Sequence, residues 1–135
     1  MKIPDTLKWK ATGKTLGQGG QGIVHEVINK EEQNGKKYAL KALSKGKPRE
    51  AYQRFYREIK AVKELNHPNI IKIFDHSSKG DEFNFYVMEY VVAAVPLAKM
   101  MQEQENPFLR KVLKSLMLFR QLALAIKECE SVNVL

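Results

Sequence analysis

The chain has 135 residues, and 23 lysines and arginines against 15 acidic residues give it a formal net charge of +8. Hydrophobic residues make up 44% and charged residues 28%, which is typical of a globular domain and excludes a disordered, collagen-like or coiled-coil chain. The single cysteine, Cys129, excludes an intrachain disulfide and a cysteine-rich zinc site, and favours a reducing, cytoplasmic location.

Neither a leader nor a membrane segment is expected. No apolar stretch follows the first five residues, so we expect no signal peptide. The longest apolar run, residues 90–98, is much shorter than the roughly 20 residues of a membrane helix, and Pro96 interrupts it. We therefore expect a soluble chain with no membrane partner in this segment.

The positive charge raises the question of nucleic acid binding. The densest basic group comprises Lys41, Lys45, Lys47, Arg49, Arg54 and Arg57. Glu50 and Glu58 dilute it, and the other basic residues are scattered. A solvated surface is the simpler interpretation, so we expect no nucleic acid partner. The alternative, a basic nucleic-acid binder, would show binding that weakens steeply with salt.

The first half of the chain is predicted to form strands and one helix. Residues 22–28 are apolar and β-branched, and residues 37–43 form a return strand after Asn34-Gly35, a strong hairpin signal. Residues 50–65 are predicted to be helical, because most of their apolar side chains fall on one broad stripe.

The helix is followed by two more predicted strands. Asn66 and Pro68 are expected to close the helix, as an Asn cap followed by a proline. The strands are predicted over residues 70–75 and 82–89. With one further strand ahead of the glycine-rich segment, the predicted order is β-β-β-α-β-β. Five strands with one inserted helix indicate an antiparallel sheet with segregated helices, the α+β class.

Two helices are predicted in the last third of the chain. The first covers residues 97–105, and Asn106-Pro107 marks the start of the second. The apolar positions of the second helix are Val112, Leu116, Phe119, Ala123 and Ile126. This stripe needs a cover, so we expect the chain to self-associate in isolation.

Glycine is concentrated in residues 16–24, where Gly17, Gly19 and Gly22 fit the pattern G-x-G-x-x-G. Without side chains, such a loop lets backbone N–H groups approach phosphate oxygens. A flexible hairpin turn is the structural alternative. The pattern alone therefore does not establish a nucleotide site.

Two familiar phosphate loops do not match this segment. A dinucleotide-binding loop opens a helix, whereas this one leads into a β-branched run, and the region of its expected acidic residue holds Lys41. A Walker A loop needs a glycine at the position of Lys8, ahead of Gly13-Lys14-Thr15. What remains is a glycine flap between two antiparallel strands, which needs a cation from elsewhere to neutralise phosphates.

Lys41 and Glu58 are charged residues on otherwise apolar elements. In a strand Lys41 shares a face with Ala39, and at 100° per residue Glu58 lies about 60° from Phe55, inside the apolar stripe of the helix. A buried ammonium or carboxylate needs a partner of opposite charge. Snorkelling of Lys41 to the surface and local pairing of Glu58 with Arg54 remain open.

Taken together, these residues resemble the amino-terminal lobe of a eukaryotic-type serine/threonine protein kinase, from about Trp9 to the end of the chain. The matching segments are G-x-G-x-x-G-x-V at residues 17–24, Tyr38-Ala39-Leu40-Lys41 for V-A-I-K, Arg57-Glu58-Ile59, the passage 65–70 and the hinge-like residues 86–91. The resemblance implies a five-stranded antiparallel lobe over residues 1–91 and the start of a helical carboxy-terminal lobe over residues 92–135.

The resemblance also implies an ATP site. Lys41 would contact the α- and β-phosphates, Glu58 would hold Lys41 in place, and Met88 would be the gatekeeper at the back of the pocket. The residues implied to cover the phosphates are Gly17, Gly19, Gly20, Gln21 and Gly22. The apolar roof over adenine would comprise Leu16, Val24 and Ala39. The backbone of Glu89 and Val91 would hydrogen-bond the adenine edge.

The sequence contains none of the family's H-R-D, D-F-G and A-P-E motifs. These motifs supply the catalytic base, the Mg²⁺ ligands and the activation segment. The resemblance therefore implies transfer from ATP and Mg²⁺ to a protein substrate only in a complete domain, and we expect weak ATP binding without turnover from these 135 residues. A non-catalytic, kinase-like regulatory or interaction module is the alternative.

Overall fold

Five antiparallel strands form one sheet in the part of the chain that the structure describes. The computed structural model describes residues 2–4, 7–102 and 112–132. Its elements are β1 (Trp9–Gly19), β2 (Gly22–Asn29), β3 (Lys37–Leu43), α1 (Arg49–Glu64), β4 (Ile73–His76), β5 (Phe85–Glu89), α2 (Leu97–Gln102) and α3 (Val112–Ser131). The strand order across the sheet is β1-β2-β3-β5-β4. The predicted α+β class, with one helix inserted between strands, is confirmed.

The chain divides into two compact units. The first comprises residues 1–64 and 71–90 and holds the sheet and α1. The second comprises residues 65–70 and 91–135 and holds α2 and α3. None of the helices in the described ranges has both the length and the apolar character that crossing a bilayer requires.

Two hairpins join the first three strands. Gly19 pairs with Gly22 across the β1–β2 hairpin, which leaves only Gly20 and Gln21 at the turn. In the β2–β3 connection Gly35 has a φ of 63°, a left-handed conformation that glycine adopts without strain. The turn predicted at Asn34-Gly35 is therefore confirmed.

The two faces of β3 pack against different partners, because successive side chains of a strand point to opposite sides. On one face Leu40 packs with Val27 and Val87, and all three side chains are fully buried. The cluster on the other face comprises Leu43, Phe55, Ile59 and Tyr86. Lys41 lies on this second face by alternation, on the side where α1 packs.

Helix α1 covers the second face of the sheet. It begins just after Pro48, whose carbonyl accepts a hydrogen bond from the Ala51 N–H at 2.9 Å. Phe55 and Ile59 are the buried residues of the helix, 3% exposed each, and they carry the apolar stripe into the core. The helix begins and ends one residue earlier than the predicted range 50–65.

The prediction that Asn66 caps this helix is wrong. An Asn cap adopts a left-handed conformation, and within the described residues Ala93 is the only non-glycine with a positive φ. The Asn66 N–H instead donates to Glu128 Oε1 at 3.3 Å, inside the second unit. A distant carboxylate replaces the local cap that the sequence pattern indicates.

Strands β4 and β5 each begin three residues later than predicted. The Ile70 N–H donates to the His67 carbonyl at 3.0 Å, so a turn occupies the start of the predicted fourth strand. The Asn84 side chain donates to the Asp81 carbonyl at 3.0 Å, so a second turn precedes β5. Both predicted strands began too early, because the residues ahead of β4 and β5 include apolar ones. These residues have no partner in the register of a neighbouring strand.

The helices of the second unit are described in part. Helix α2 begins at the predicted residue 97 and is described as far as Gln102, and the remaining predicted residues, 103–105, lie outside the described residues. The predicted helix start at Asn106-Pro107 also lies outside them. Helix α3 runs from Val112 to Ser131 and contains the whole predicted apolar stripe.

Candidate functional site

The glycine turn between β1 and β2 has two kinds of glycine. A Cβ atom added at Gly17, Gly19 or Gly20 would meet no other atom within 4 Å. A Cβ added at Gly22 would lie 2.0 Å from the Ala42 carbonyl oxygen of β3. The first three positions therefore leave open space beside the turn, whereas Gly22 is required by the close approach of β2 to β3.

The tip of the glycine turn is attached to the connection between β3 and α1. Lys47 Nζ donates to the Gly20 carbonyl at 2.7 Å, and the Ser44 N–H donates to the Gln21 carbonyl at 3.3 Å. Lys47 was missed as a site residue, because the sequence places it only in the densest basic group, which we interpreted as solvated surface. Nothing in the sequence around Lys47 indicates a contact with Gly20, which lies 27 positions earlier.

The structure brings Lys41 and Glu58 together. Lys41 Nζ lies 3.1 Å from Glu58 Oε1 and 3.2 Å from Oε2, and the side chains are 20% and 39% exposed. No ion pair joins Glu58 to Arg54 in the described ranges, so the local pairing is not adopted. A lysine of the sheet is thus held by a carboxylate of α1, and both side chains are partly exposed to solvent.

Tyr86 is a third member of this cluster that sequence reasoning missed. Its hydroxyl donates to Glu58 Oε1 at 2.8 Å, and Lys41 Nζ lies 5.4 Å from the centre of its ring. Tyr86 pairs directly with Lys41 across β3 and β5. Burial, and then the hydrogen bond to Glu58, raise the pKa of the Tyr86 hydroxyl well above its ordinary value. Strand alternation places residue 86 on the same face as residue 88, but nothing in the sequence indicates its bond to Glu58.

We expect Tyr86→Phe to lower the free energy of unfolding by about 1–2 kcal/mol at pH 7, because a buried hydrogen bond to a carboxylate is lost. The raised pKa of Tyr86 contributes stability that is complete below pH about 10 and is lost as the pH rises further, since only the unfolded chain then releases the proton. Urea unfolding of both proteins from pH 7 to 11 should show the difference shrinking above pH 10. A difference that stays constant over this range would contradict the assignment.

A cavity of about 280 Å³ lies between the glycine turn and α1. The turn contributes Gly20 and Gln21 to its wall, and α1 contributes Arg54, Phe55 and Glu58. The Glu58 side chain therefore borders this cavity while it also contacts Lys41.

The other predicted site residues lie on neighbouring strands. Val24 pairs with Lys41, and Ala39 pairs with Met88, so these four share one face of the sheet. Ala39 is buried, whereas the side chains of Leu16, Val24 and Met88 are partly exposed. Glu89 ends β5 in the first unit, and Val91 is an exposed residue of the second unit.

A buried carboxylate, Glu26, was also missed. Its side chain is 4% exposed, and its carboxylate oxygens lie 3.1 Å from Lys37 Nζ and 3.9 Å from Lys14 Nζ. Lys14 Nζ also donates to the Tyr90 hydroxyl at 3.4 Å. Lys14 therefore bridges Glu26 of β2 and Tyr90, the residue after β5, and does not belong to the glycine turn.

A five-stranded sheet with an inserted helix, and a sheet lysine paired to a glutamate of that helix, is the arrangement that the kinase resemblance implied. A family model described as the protein kinase domain matches residues 11–135. The chain therefore belongs to the protein kinase family.

Similar proteins carry kinase names. Mouse testis-specific serine/threonine-protein kinase 3 is 33% identical over 124 residues, which cover 90% of this chain and 44% of that protein. Serine/threonine-protein kinase cds1 of Schizosaccharomyces pombe is 27% identical and covers 90% of this chain and 28% of its own length. Rat serine/threonine-protein kinase DCLK1 is 31% identical over 67% of this chain and 20% of its own length. The chain thus spans less than half the length of each.

Proposed function

We propose that this chain is the ATP-binding part of a serine/threonine protein kinase. The observation that carries the proposal is the contact between Lys41 and Glu58 at 3.1 Å, which fixes an ammonium on the face of the sheet below the glycine turn. The serine/threonine class is proposed from the names of the similar proteins. A cytoplasmic location is part of the same proposal.

The residues present fit a nucleoside triphosphate. The open space at Gly17, Gly19 and Gly20 leaves their backbone N–H groups room to approach phosphate oxygens, and Lys41 supplies the positive charge. Glu58 orients Lys41, and Tyr86 in turn orients Glu58. Gln21 and Gly22 complete the phosphate cover.

The adenine end is proposed for the apolar residues of the shared sheet face. Leu16, Val24 and Ala39 would contact the base, with Met88 behind it. The Glu89 N–H already donates to the Lys72 carbonyl at 2.9 Å. The Glu89 carbonyl oxygen would therefore accept a hydrogen bond from adenine. Val91 would supply the second backbone contact.

Phosphoryl transfer is proposed for a complete domain, from ATP to a serine or threonine hydroxyl of a protein substrate. Bound Mg²⁺ would neutralise charge on the phosphates there. The 135 residues contain no H-R-D, D-F-G or A-P-E motif to supply a base or metal ligands, so we propose that they bind ATP without turnover. A non-catalytic regulatory module would also bind partners without turnover, and it would not require Lys41.

Binding of a fluorescent ATP analogue tests this proposal. We expect Lys41→Ala to weaken binding by about tenfold or more, because a charge-assisted contact to phosphate is lost. Lys72→Ala removes the same charge at an exposed position of the first unit and should leave binding unchanged. Equal affinities for the wild type and Lys41→Ala would reject the assigned role and favour the interaction module.

We also propose that the isolated chain self-associates through α3. The exposed fractions of Leu113, Met117 and Phe119 are 77%, 65% and 66%, and further apolar residues of this helix are more than a third exposed. Apolar patches of this kind promote association. Light scattering at increasing concentration should give a rising mean mass, and Leu113→Glu with Leu116→Glu should restore the monomer mass. A constant monomer mass for the wild type would contradict this.

A further inference from the structure

A second cavity, of about 840 Å³, lies between α1 and the connection from β4 to β5. Helix α1 lines it with Arg49, Tyr52, Tyr56 and Lys60, among others. At 100° per residue Lys60 is about 200° from Glu58, so the cavity faces away from the Lys41–Glu58 pair. It shares Lys47 with the smaller cavity beside the glycine turn, but neither Lys41 nor Glu58 lines it.

The walls of this cavity carry an excess of positive charge. The cations that line it are Lys47, Arg49, Arg57, Lys60 and Lys79. Asp81 is the one carboxylate in its lining, and it accepts a hydrogen bond from the Ser78 N–H at 2.8 Å. Within the described ranges, no carboxylate forms an ion pair with any of the five cations. The described part of the chain thus offers these cations no carboxylate partner, although Lys47 Nζ also donates to the Gly20 carbonyl.

The cavity is held in shape by a partly exposed hydrogen-bond network around the Tyr56 hydroxyl. The Tyr56 hydroxyl lies 2.6 Å from the Ser78 carbonyl, 2.8 Å from Asn84 Oδ1 and 3.1 Å from Ser77 Oγ. These contacts fix α1 against the β4–β5 connection, so the two walls are positioned before any ligand arrives. A preorganised site costs less ordering entropy when a ligand binds.

The extent of the charge indicates the kind of ligand. Arg49 and Lys60 are separated by about 16 Å along the helix axis, which about five residues of extended peptide would span. The volume lies in the range of about 300–1,000 Å³ that is common for ligand sites and exceeds what one phosphate fills. Tyr52 and Tyr56 add aromatic surface for apolar parts of the ligand. A cavity of this length and volume suits one extended chain.

We propose that the cavity beside α1 binds an acidic peptide segment of a protein partner, with its carboxylates on Arg49, Arg57 and Lys60. This inference does not depend on the proposed nucleotide site. Lys47, Arg49 and Arg57 belong to the basic group that we interpreted from the sequence as solvated surface. They would then form part of a docking surface.

Fluorescence anisotropy with a labelled peptide of about ten residues, in which Glu alternates with Ala, tests this inference on the whole chain. We expect the wild type to bind this peptide and not the matched peptide in which Gln replaces Glu. Arg57→Glu combined with Lys60→Glu should weaken binding by about tenfold or more, because two cations become anions. The control, Lys10→Glu combined with Lys72→Glu, changes the net charge equally at exposed positions outside the cavity and should change affinity by less than about threefold.

Several outcomes would overturn the inference. These are no binding of the acidic peptide, equal binding of both peptides, and equal loss of affinity in the two double variants. A single-stranded oligonucleotide of the same charge could bind more tightly than the peptide and lose binding in Arg57→Glu with Lys60→Glu. That result would show that the ligand of this cavity is a nucleic acid and not a peptide. Thermal melts by circular dichroism establish that the variants fold, and Arg57→Gln with Lys60→Gln gives a second, milder test that should also weaken binding.

Discussion

Gly22→Ala should lower the free energy of unfolding by about 3 kcal/mol, the upper part of the range for overpacking a close contact. The added Cβ would lie 2.0 Å from the Ala42 carbonyl oxygen, which is a backbone atom of a central strand. The clash is relieved only if β2 moves away from β3, and the ladder that pairs Gly22 with Leu43 then weakens. The effect arises although residue 22 has no unusual backbone angle.

Gly20→Ala is the matched control in the same turn. Its Cβ would meet nothing within 4 Å, and Gly20 has no positive φ. We expect a change of less than about 0.5 kcal/mol in urea unfolding, as for a surface substitution away from special features. Similar losses for both variants would show that turn flexibility, and not the approach of the strands, makes residue 22 a glycine.

Exchanging the charges of Lys41 and Glu58 should separate their structural role from their proposed ligand role. Lys41→Glu alone places two carboxylates on facing positions that now hold an ion pair, and Glu58→Lys alone does the same with two ammonium groups. Each single change should cost about 1–2 kcal/mol of unfolding free energy, a figure reduced because Glu58 is 39% exposed and water screens the pair. The double variant should recover only part of that loss, because a lysine at position 58 cannot accept the hydrogen bond that Tyr86 donates to Glu58.

Binding of the ATP analogue should not recover in the double variant. A carboxylate at position 41 repels the phosphates, even though its partner at position 58 again has the opposite charge. Denaturant unfolding and nucleotide titration of the wild type, both single variants and the double variant complete the cycle. Recovery of both stability and nucleotide affinity would contradict direct contact of Lys41 with phosphate.

Much of this fold follows from local patterns. The alternation in residues 37–43, the Asn34-Gly35 turn and the apolar stripe of α1 each depend on residues close in the chain, so sequence reasoning places them within a residue or so. Strands β4 and β5 were extended too far, because their apolar character does not tell which residues find a partner strand. Asn66 shows the same limit, since its N–H bonds to Glu128 far along the chain.

The candidate site shows the same division. Lys41 and Glu58 stand out in the sequence because each is a charge on an apolar element. Tyr86 and Lys47 do not stand out, since a tyrosine in a strand and a lysine in a connection are ordinary. Their roles come from hydrogen bonds between residues 28 and 27 positions apart. The cavity beside α1 likewise depends on how the Tyr56 hydroxyl joins the helix to the β4–β5 connection.

The sequence by itself determined the α+β class, the order of the strands and the helix along the chain, and the two charged residues that need a partner. Only the tertiary structure decided that Lys41 meets Glu58, that Gly22 must lack a side chain, and that five cations line one cavity. The physical reason is the separation along the chain over which each kind of interaction acts. Periodicity and turn chemistry act over a few residues, whereas these contacts depend on the register of the sheet and the packing of α1 against it.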